Sequence, residues 1–126
     1  MKYLTTDQVV RLHKVLIETS GGSSGIRDKG TLDAALKAPL QTFDNCELFP
    51  SMIDKATHLA FGIIKNHPFV DGNKRIATHA MLIFLALNGI MLSYKDEELI
   101  DIILKVASSQ ANERDLYNWI DSHQDI

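Results

Sequence analysis

Cysteine is almost missing: Cys46 is the only one among 126 residues. A lone thiol cannot close an internal disulfide, and this suits a reducing, cytoplasmic setting. Basic excess is missing as well. Thirteen lysines and arginines face sixteen acidic residues, for a net charge of −3, which argues against a direct nucleic-acid binder. The longest unbroken apolar run, Ala80 to Leu87, falls well short of the roughly 20 residues a membrane span needs. Polar residues interrupt the first turns of the chain before any signal-peptide core can form. No Walker A loop, protein-kinase glycine loop or HExxH pattern occurs. What is present is ordinary: 45% apolar and 23% charged residues, close to the soluble globular average. The length suits one domain at about 150 residues per domain. Such a domain builds a real core without disulfide or metal staples.

The patterning is helical nearly throughout. Thr5 and Gln8 have the spacing of a capping box. Val9, Leu12, His13, Leu16 and Ile17 follow at helical intervals, and this helix stops near Ser20. Residues 21–30, Gly-Gly-Ser-Ser-Gly-Ile-Arg-Asp-Lys-Gly, are the one glycine-rich stretch and read as a mobile loop or small hairpin. Thr31 is expected to cap a short helix ended by Pro39, and residues 39–50 connect, with Phe43, Leu48 and Phe49 as packing anchors. Ser51 and Asp54 open a helix carrying Ile53, Ala56, Ala60, Ile63 and Ile64, which Pro68 stops. The next begins around Asn73 and runs to Asn88-Gly89, a strong helix-stop signal. It is apolar on every side over 80–87 and is expected to be buried all round. Ser93 and Asp96 open a fifth helix with Leu99, Ile100, Ile103, Val106 and Ala107 inward, and Asn112 opens a sixth. The expectation is a single all-α domain over residues 1–126.

Chemistry concentrates in His67-Pro68-Phe69-Val70-Asp71-Gly72-Asn73-Lys74-Arg75, between the two most hydrophobic helices. A helix start presents unpaired N–H groups and the positive end of the dipole, which together attract anions. Gly72 admits close approach to the backbone, and Asn73 adds an amide. Lys74 and Arg75 add charge that opposes the dipole at roughly 0.3–1 kcal/mol each unless an anion is present. Arginine forks onto phosphate oxygens, whereas lysine acts as a point charge. Asp71 is suited to Mg²⁺, which takes one or two carboxylates plus substrate phosphates. His67 titrates near neutrality and suits a general base. A base, a metal carboxylate and a phosphate cradle within nine residues point to phosphoryl or nucleotidyl transfer. The bland alternative, a Pro/Gly/Asp turn with a solvated Lys-Arg pair, fits the spacing equally well.

The nine residues resemble the Fic motif, His-Pro-Phe-x-Asp/Glu-Gly-Asn-Gly-Arg, and depart from it at Lys74, where glycine is usual. That departure resembles the death-on-curing (Doc) branch, whose motif ends Asn-Lys-Arg. The resemblance extends through Arg27-Asp28-x-Gly30 to the trailing Phe84-Leu85 and Asn88-Gly89. It implies a compact six-helix Fic/Doc fold with residues 21–30 as its target-gripping flap, by β-augmentation. It also implies the toxin of a bacterial or prophage toxin–antitoxin pair. ATP would be the substrate. Doc-type enzymes move its γ-phosphate to a threonine of elongation factor Tu, whereas ordinary Fic enzymes move AMP to a hydroxyl. His67 would deprotonate the acceptor, Asp71 would hold Mg²⁺, and Gly72, Asn73, Lys74 and Arg75 would clamp phosphate. The partner would be an antitoxin whose disordered tail folds on a groove of the toxin, here placed beside helix 53–66. A catalytically idle binding module is the alternative of a different class.

The remaining candidates read as structural. His13, His58, His79 and His123 form no ligand pattern. Cys46 lacks a basic neighbourhood that would lower its pKa, Lys65 reads as solvated, and Tyr117 and Trp119 pack the last helix.

Overall fold

The computed structural model describes all 126 residues. Six helices form an all-α fold: α1 (Thr6–Ser20), α2 (Lys29–Lys37), α3 (Met52–Asn66), α4 (Asn73–Leu87), α5 (Asp96–Ala107) and α6 (Glu113–Ser122). None is long and apolar enough to cross a membrane. Helices α1, α3 and α6 begin with complete capping boxes, built on Thr5/Gln8, Ser51/Asp54 and Asn112/Asp115. Each box satisfies N–H groups that have no partner inside the helix.

The core lies between α3 and α4. Leu59, Ala60 and Ile63 of α3 meet Ile76, Ala77, Ala80, Met81 and Phe84 of α4, all fully enclosed. Small residues on both facing stripes let the helices approach closely. Leu32 of α2, Val106 of α5 and Leu116 and Ile120 of α6 close the core. Buried Val9, His13 and Ile17 dock α1. The Tyr3 hydroxyl donates to Leu36 O at 2.5 Å, fastening the N-terminal segment to α2, and burial pushes this phenol well above its ordinary pKa.

Several expectations are corrected here. The cap of α2 is Asp28, whose carboxylate accepts the Thr31 amide at 3.1 Å, so Thr31 lies inside the helix rather than at its cap. Helix α4 is central but not buried all round: Leu82 and Ile83 are half-buried, and Ala86 and Leu87 are exposed. The five other short helices do not enclose α4 on every side, so part of its apolar surface faces outward. In α5, Ile100 is exposed and Ile102 buried. Lys95, not Ser93, occupies the α5 cap position, and the Ser93 amide instead donates to His123 O at 2.8 Å.

Residues 21–28 of the glycine-rich stretch form a loop and not a hairpin, with a single antiparallel bridge from Ile26 to Phe69, and Lys29 and Gly30 already belong to α2. The hairpin is elsewhere, in the segment expected only to connect: β1 (Thr42–Phe43) pairs antiparallel with β2 (Cys46–Glu47). Asp44 and Asn45 both take positive φ, 51° and 62°, the geometry of a two-residue type I′ turn. Phe43 and Leu48 are exposed, not packing anchors, whereas Phe49 stacks on His58 with centroids 3.9 Å apart. Buried Lys55 donates to the carbonyls of Phe49 and Pro50 and pairs with Glu47 at 3.0 Å. The hairpin tip is therefore free while its base is pinned to α3.

Candidate active site

Helix α3 ends at His67, which takes a left-handed conformation (φ 48°, ψ 58°) as the C-cap. Left-handed backbone is unfavourable for a residue with a Cβ, and such strain persists where surrounding structure enforces it. Here the enforcing groups are visible. The Arg27 guanidinium donates to His67 O at 2.5 Å and to Asn66 O at 2.7 Å, so a cation covers the negative end of α3. The amides of Arg27 and Asp28 both donate to Pro68 O, at 2.8 and 3.1 Å. The His67 side chain is left exposed.

The loop is closed from its other end by Asn73. Its carboxamide accepts from the Phe69 amide and donates to the Phe69 carbonyl, both at 3.0 Å. This side chain, 9% exposed, is thus committed to the loop backbone. What Asn73 offers outward is the main chain at the α4 start. Gly72 caps α4 at φ 75°, a left-handed position that suits glycine. A side chain there would also crowd Ile17 Cδ1, Arg75 Nη2 and His13 Nε2 at 3.2–3.5 Å. No side chain caps α4 and no acid occupies its first turn, which carries Lys74 and Arg75 instead.

Asp71 is exposed yet well held. Its Oδ1 accepts from the Gly72 amide at 2.7 Å and its Oδ2 from the Ser23 amide at 3.1 Å. These two N–H groups, with a smaller contribution from Arg75, keep the carboxyl below its ordinary pKa. It is therefore ionised at neutral pH. No cluster of three or more potential metal ligands exists. The donor set, one ionised carboxylate beside a helix start, fits an ion that takes its other ligands from phosphate and water, as Mg²⁺ does.

Arg75 Nη1 donates to Ser20 Oγ and Gly21 O, both at 2.7 Å, so it ties the end of α1 to the start of α4. Lys74 is exposed. Lys74, Arg75, Thr78 and His79 border a groove of about 460 Å³ between α4 and α5. His67, Asp71, Gly72 and the α4 start thus lie along one loop, whose backbone the Asn73 side chain holds. Lys65 points elsewhere, to Ser109 Oγ at 2.7 Å.

Sequence reading missed His13. It is 3% exposed, stacks on Phe69 with centroids 3.8 Å apart, and donates from Nε2 to Asp71 O at 2.7 Å. The available signal was a polar residue on an otherwise apolar helix stripe. Arg27, noted as part of a pattern, has its role only in three dimensions.

The chain is similar to Toxin Doc of Mycolicibacterium smegmatis, 37% identical over 92 residues, which cover 73% of this chain and 68% of that protein. It is also similar to Protein kinase doc of Escherichia phage P1, 27% identical over 110 residues, 87% of this chain and 86% of that one. The family model described as Fic/DOC matches residues 3–85, a span from before α1 to the last turns of α4 that contains every site group described above. The chain belongs to the Fic/DOC family.

Proposed function

We propose that this protein is the toxin of a toxin–antitoxin pair and that it transfers the γ-phosphate of ATP to a serine or threonine hydroxyl of a translation protein, elongation factor Tu being the expected target. The observation that carries the reading is the loop of residues 67–75, which holds an exposed histidine and an ionised carboxylate beside the basic start of α4, where no side chain caps the helix.

In this reading His67 takes the proton of the acceptor hydroxyl. The acceptor oxygen forms a bond to the γ-phosphorus, the bond to the β,γ-bridging oxygen breaks, and ADP leaves. Little covalent work falls to the protein in such a transfer; positioning and charge stabilisation dominate. The main-chain N–H groups at the α4 start, with Lys74 and Arg75, attract phosphate oxygens. Asp71 would hold Mg²⁺, which supplies neutralisation of phosphate charge when bound. Lys74 supports γ-phosphate transfer over AMP transfer: a lysine fills the space that glycine leaves for phosphates to lie against the backbone, so the nucleotide binds in another orientation. The name of the phage relative, a protein kinase, points the same way. AMP transfer is the second reading, favoured by agreement with the Fic motif at every fixed position except Lys74.

The exposed tip of the 42–47 hairpin, rather than residues 21–30, is the element available to grip an extended segment of the target. The glycine-rich loop is engaged with Asp71 and the motif backbone. The partner would be an antitoxin with a disordered tail, and the setting cytoplasmic. Induced expression in a bacterial host tests the toxin reading. Growth arrest by the wild type, relieved by His67→Ala at equal protein level, is expected. Equal harmlessness of both would favour an idle binding module.

A further inference from the structure

The backbone of the motif loop is fastened group by group. Arg27 takes the carbonyls of Asn66 and His67. The amides of Arg27 and Asp28 take that of Pro68, and Gly25 O accepts the Val70 amide at 3.0 Å. Asn73 takes both groups of Phe69. All of these partners belong to the glycine-rich segment or to the motif itself. Asp71 O is different, because its partner is His13, in the middle of α1 and 58 residues away in sequence.

We propose that His13 is a positioning residue for Asp71, fixing the peptide that follows it and thereby the direction of its carboxylate. The inference rests on the phosphoryl-transfer reading of the site. A carbonyl oxygen only accepts, so Nε2 carries a proton. The ring cannot swing away: it is buried and stacked on Phe69 with an interplanar angle of 11°. The same peptide leads into Gly72, whose left-handed turn lies close to the ring's Nε2 edge; a Cβ there would stand 3.5 Å from Nε2. His13 holds Asp71 through its main chain, and the Ser23 and Gly72 amides hold its side chain. Packing alone asks only for a flat apolar ring beside Val9 and Ile17. The nitrogen is needed for the carbonyl.

This separates shape from hydrogen bonding. His13→Phe keeps a stacking ring and loses the donor. His13→Gln loses the ring and keeps an amide N–H at about the reach of Nε2, whereas His13→Asn is too short. Folding of each is checked by thermal melting. Transfer to the acceptor is measured across a Mg²⁺ titration, and the Gly72 and Ser23 amide shifts are recorded by NMR without ligand. For His13→Phe, kcat should fall by about tenfold to a hundredfold, as when outer-shell partners of metal ligands are removed. Half-saturating Mg²⁺ should rise, and KM for the acceptor should stay within about twofold. His13→Gln should recover most of kcat and return the Gly72 shift toward wild type; His13→Asn should do neither. If His13→Phe does not fold, the Gln/Asn pair decides alone. Wild-type kcat and Mg²⁺ dependence in His13→Phe, or equal behaviour of Gln and Asn, would overturn the proposal. Failure of the underlying reading looks different: the wild type itself transfers nothing, while the NMR comparison still reports whether His13 sets the loop.

Discussion

The Ser23 amide donates to Asp71 Oδ2 at 3.1 Å, so the glycine-rich loop lies directly on the Asp71 carboxylate. Gly22 makes this possible. A Cβ on Gly22 would stand 2.7 Å from both Asp71 Oδ2 and Arg75 Nη2, whereas one on Gly21 meets nothing within 4 Å. Both glycines have positive φ, so alanine at either strains the backbone by about 1–3 kcal/mol. Both variants should therefore melt lower than wild type. Only Gly22→Ala should also lose transfer activity, by about tenfold or more. Parallel melting curves and initial rates check this, and equal loss in both variants would contradict it.

His67 carries backbone strain, with φ at 48°. Replacing it with glycine removes the left-handed penalty of roughly 1–2 kcal/mol, offset in part by the greater freedom of glycine in the unfolded chain. His67→Gly should be at least as stable as His67→Ala in denaturant, and both should be inactive. An active His67→Gly, or an Ala variant clearly the more stable, would contradict the general-base assignment or the strain argument respectively.

Asn73 serves the loop with its side chain. Asn73→Ala leaves the Phe69 amide and carbonyl unpaired in a buried place, at about 1–3 kcal/mol for an unsatisfied group. Asn73→Asp keeps the acceptor and loses the donor. Urea denaturation should rank stability as wild type, then Asp, then Ala. If Ala is as stable as wild type while nucleotide binding fails, the side chain contacts ligand rather than loop.

Asp28 caps α2. The amide of Thr31, together with smaller effects that include Arg27, lowers its pKa. A carboxylate depressed on folding adds stability above its unfolded pKa and loses it as pH falls through the folded value. The melting temperature of wild type should therefore exceed that of Asp28→Ala at pH 7, and the gap should narrow on acidification below the ordinary carboxylate range. A gap that is constant with pH would mean that charge plays no part in the cap.

Much of this organisation is local and therefore legible in sequence. Capping boxes at Thr5, Ser51 and Asn112 need only residues three apart. The place of residues 67–75 between the two helices of the core follows from the apolar stripes on either side. The 42–47 hairpin is not legible in the sequence, because two-residue strands leave almost no alternation; its one mark is the Asp44-Asn45 pair, residue types that tolerate the positive φ of a type I′ turn. The contact of His13 is not legible because it depends on a partner 58 residues away. The bonds from Asn73 to the Phe69 backbone are not legible either, because sequence shows an amide's presence and not where its hydrogen bonds go. The outward faces of α4 and α5 escaped because periodicity reports a stripe and not how much of it the other helices can cover.

The most direct measurement gives the protein ATP labelled at the γ-position or, separately, at the α-position, together with Mg²⁺ and purified elongation factor Tu. The account expects label on the acceptor from the γ-position only, an acceptor heavier by one phosphoryl group, and no transfer by His67→Ala. Label from the α-position alone, with an acceptor heavier by AMP, would contradict phosphoryl transfer and establish the adenylyl alternative.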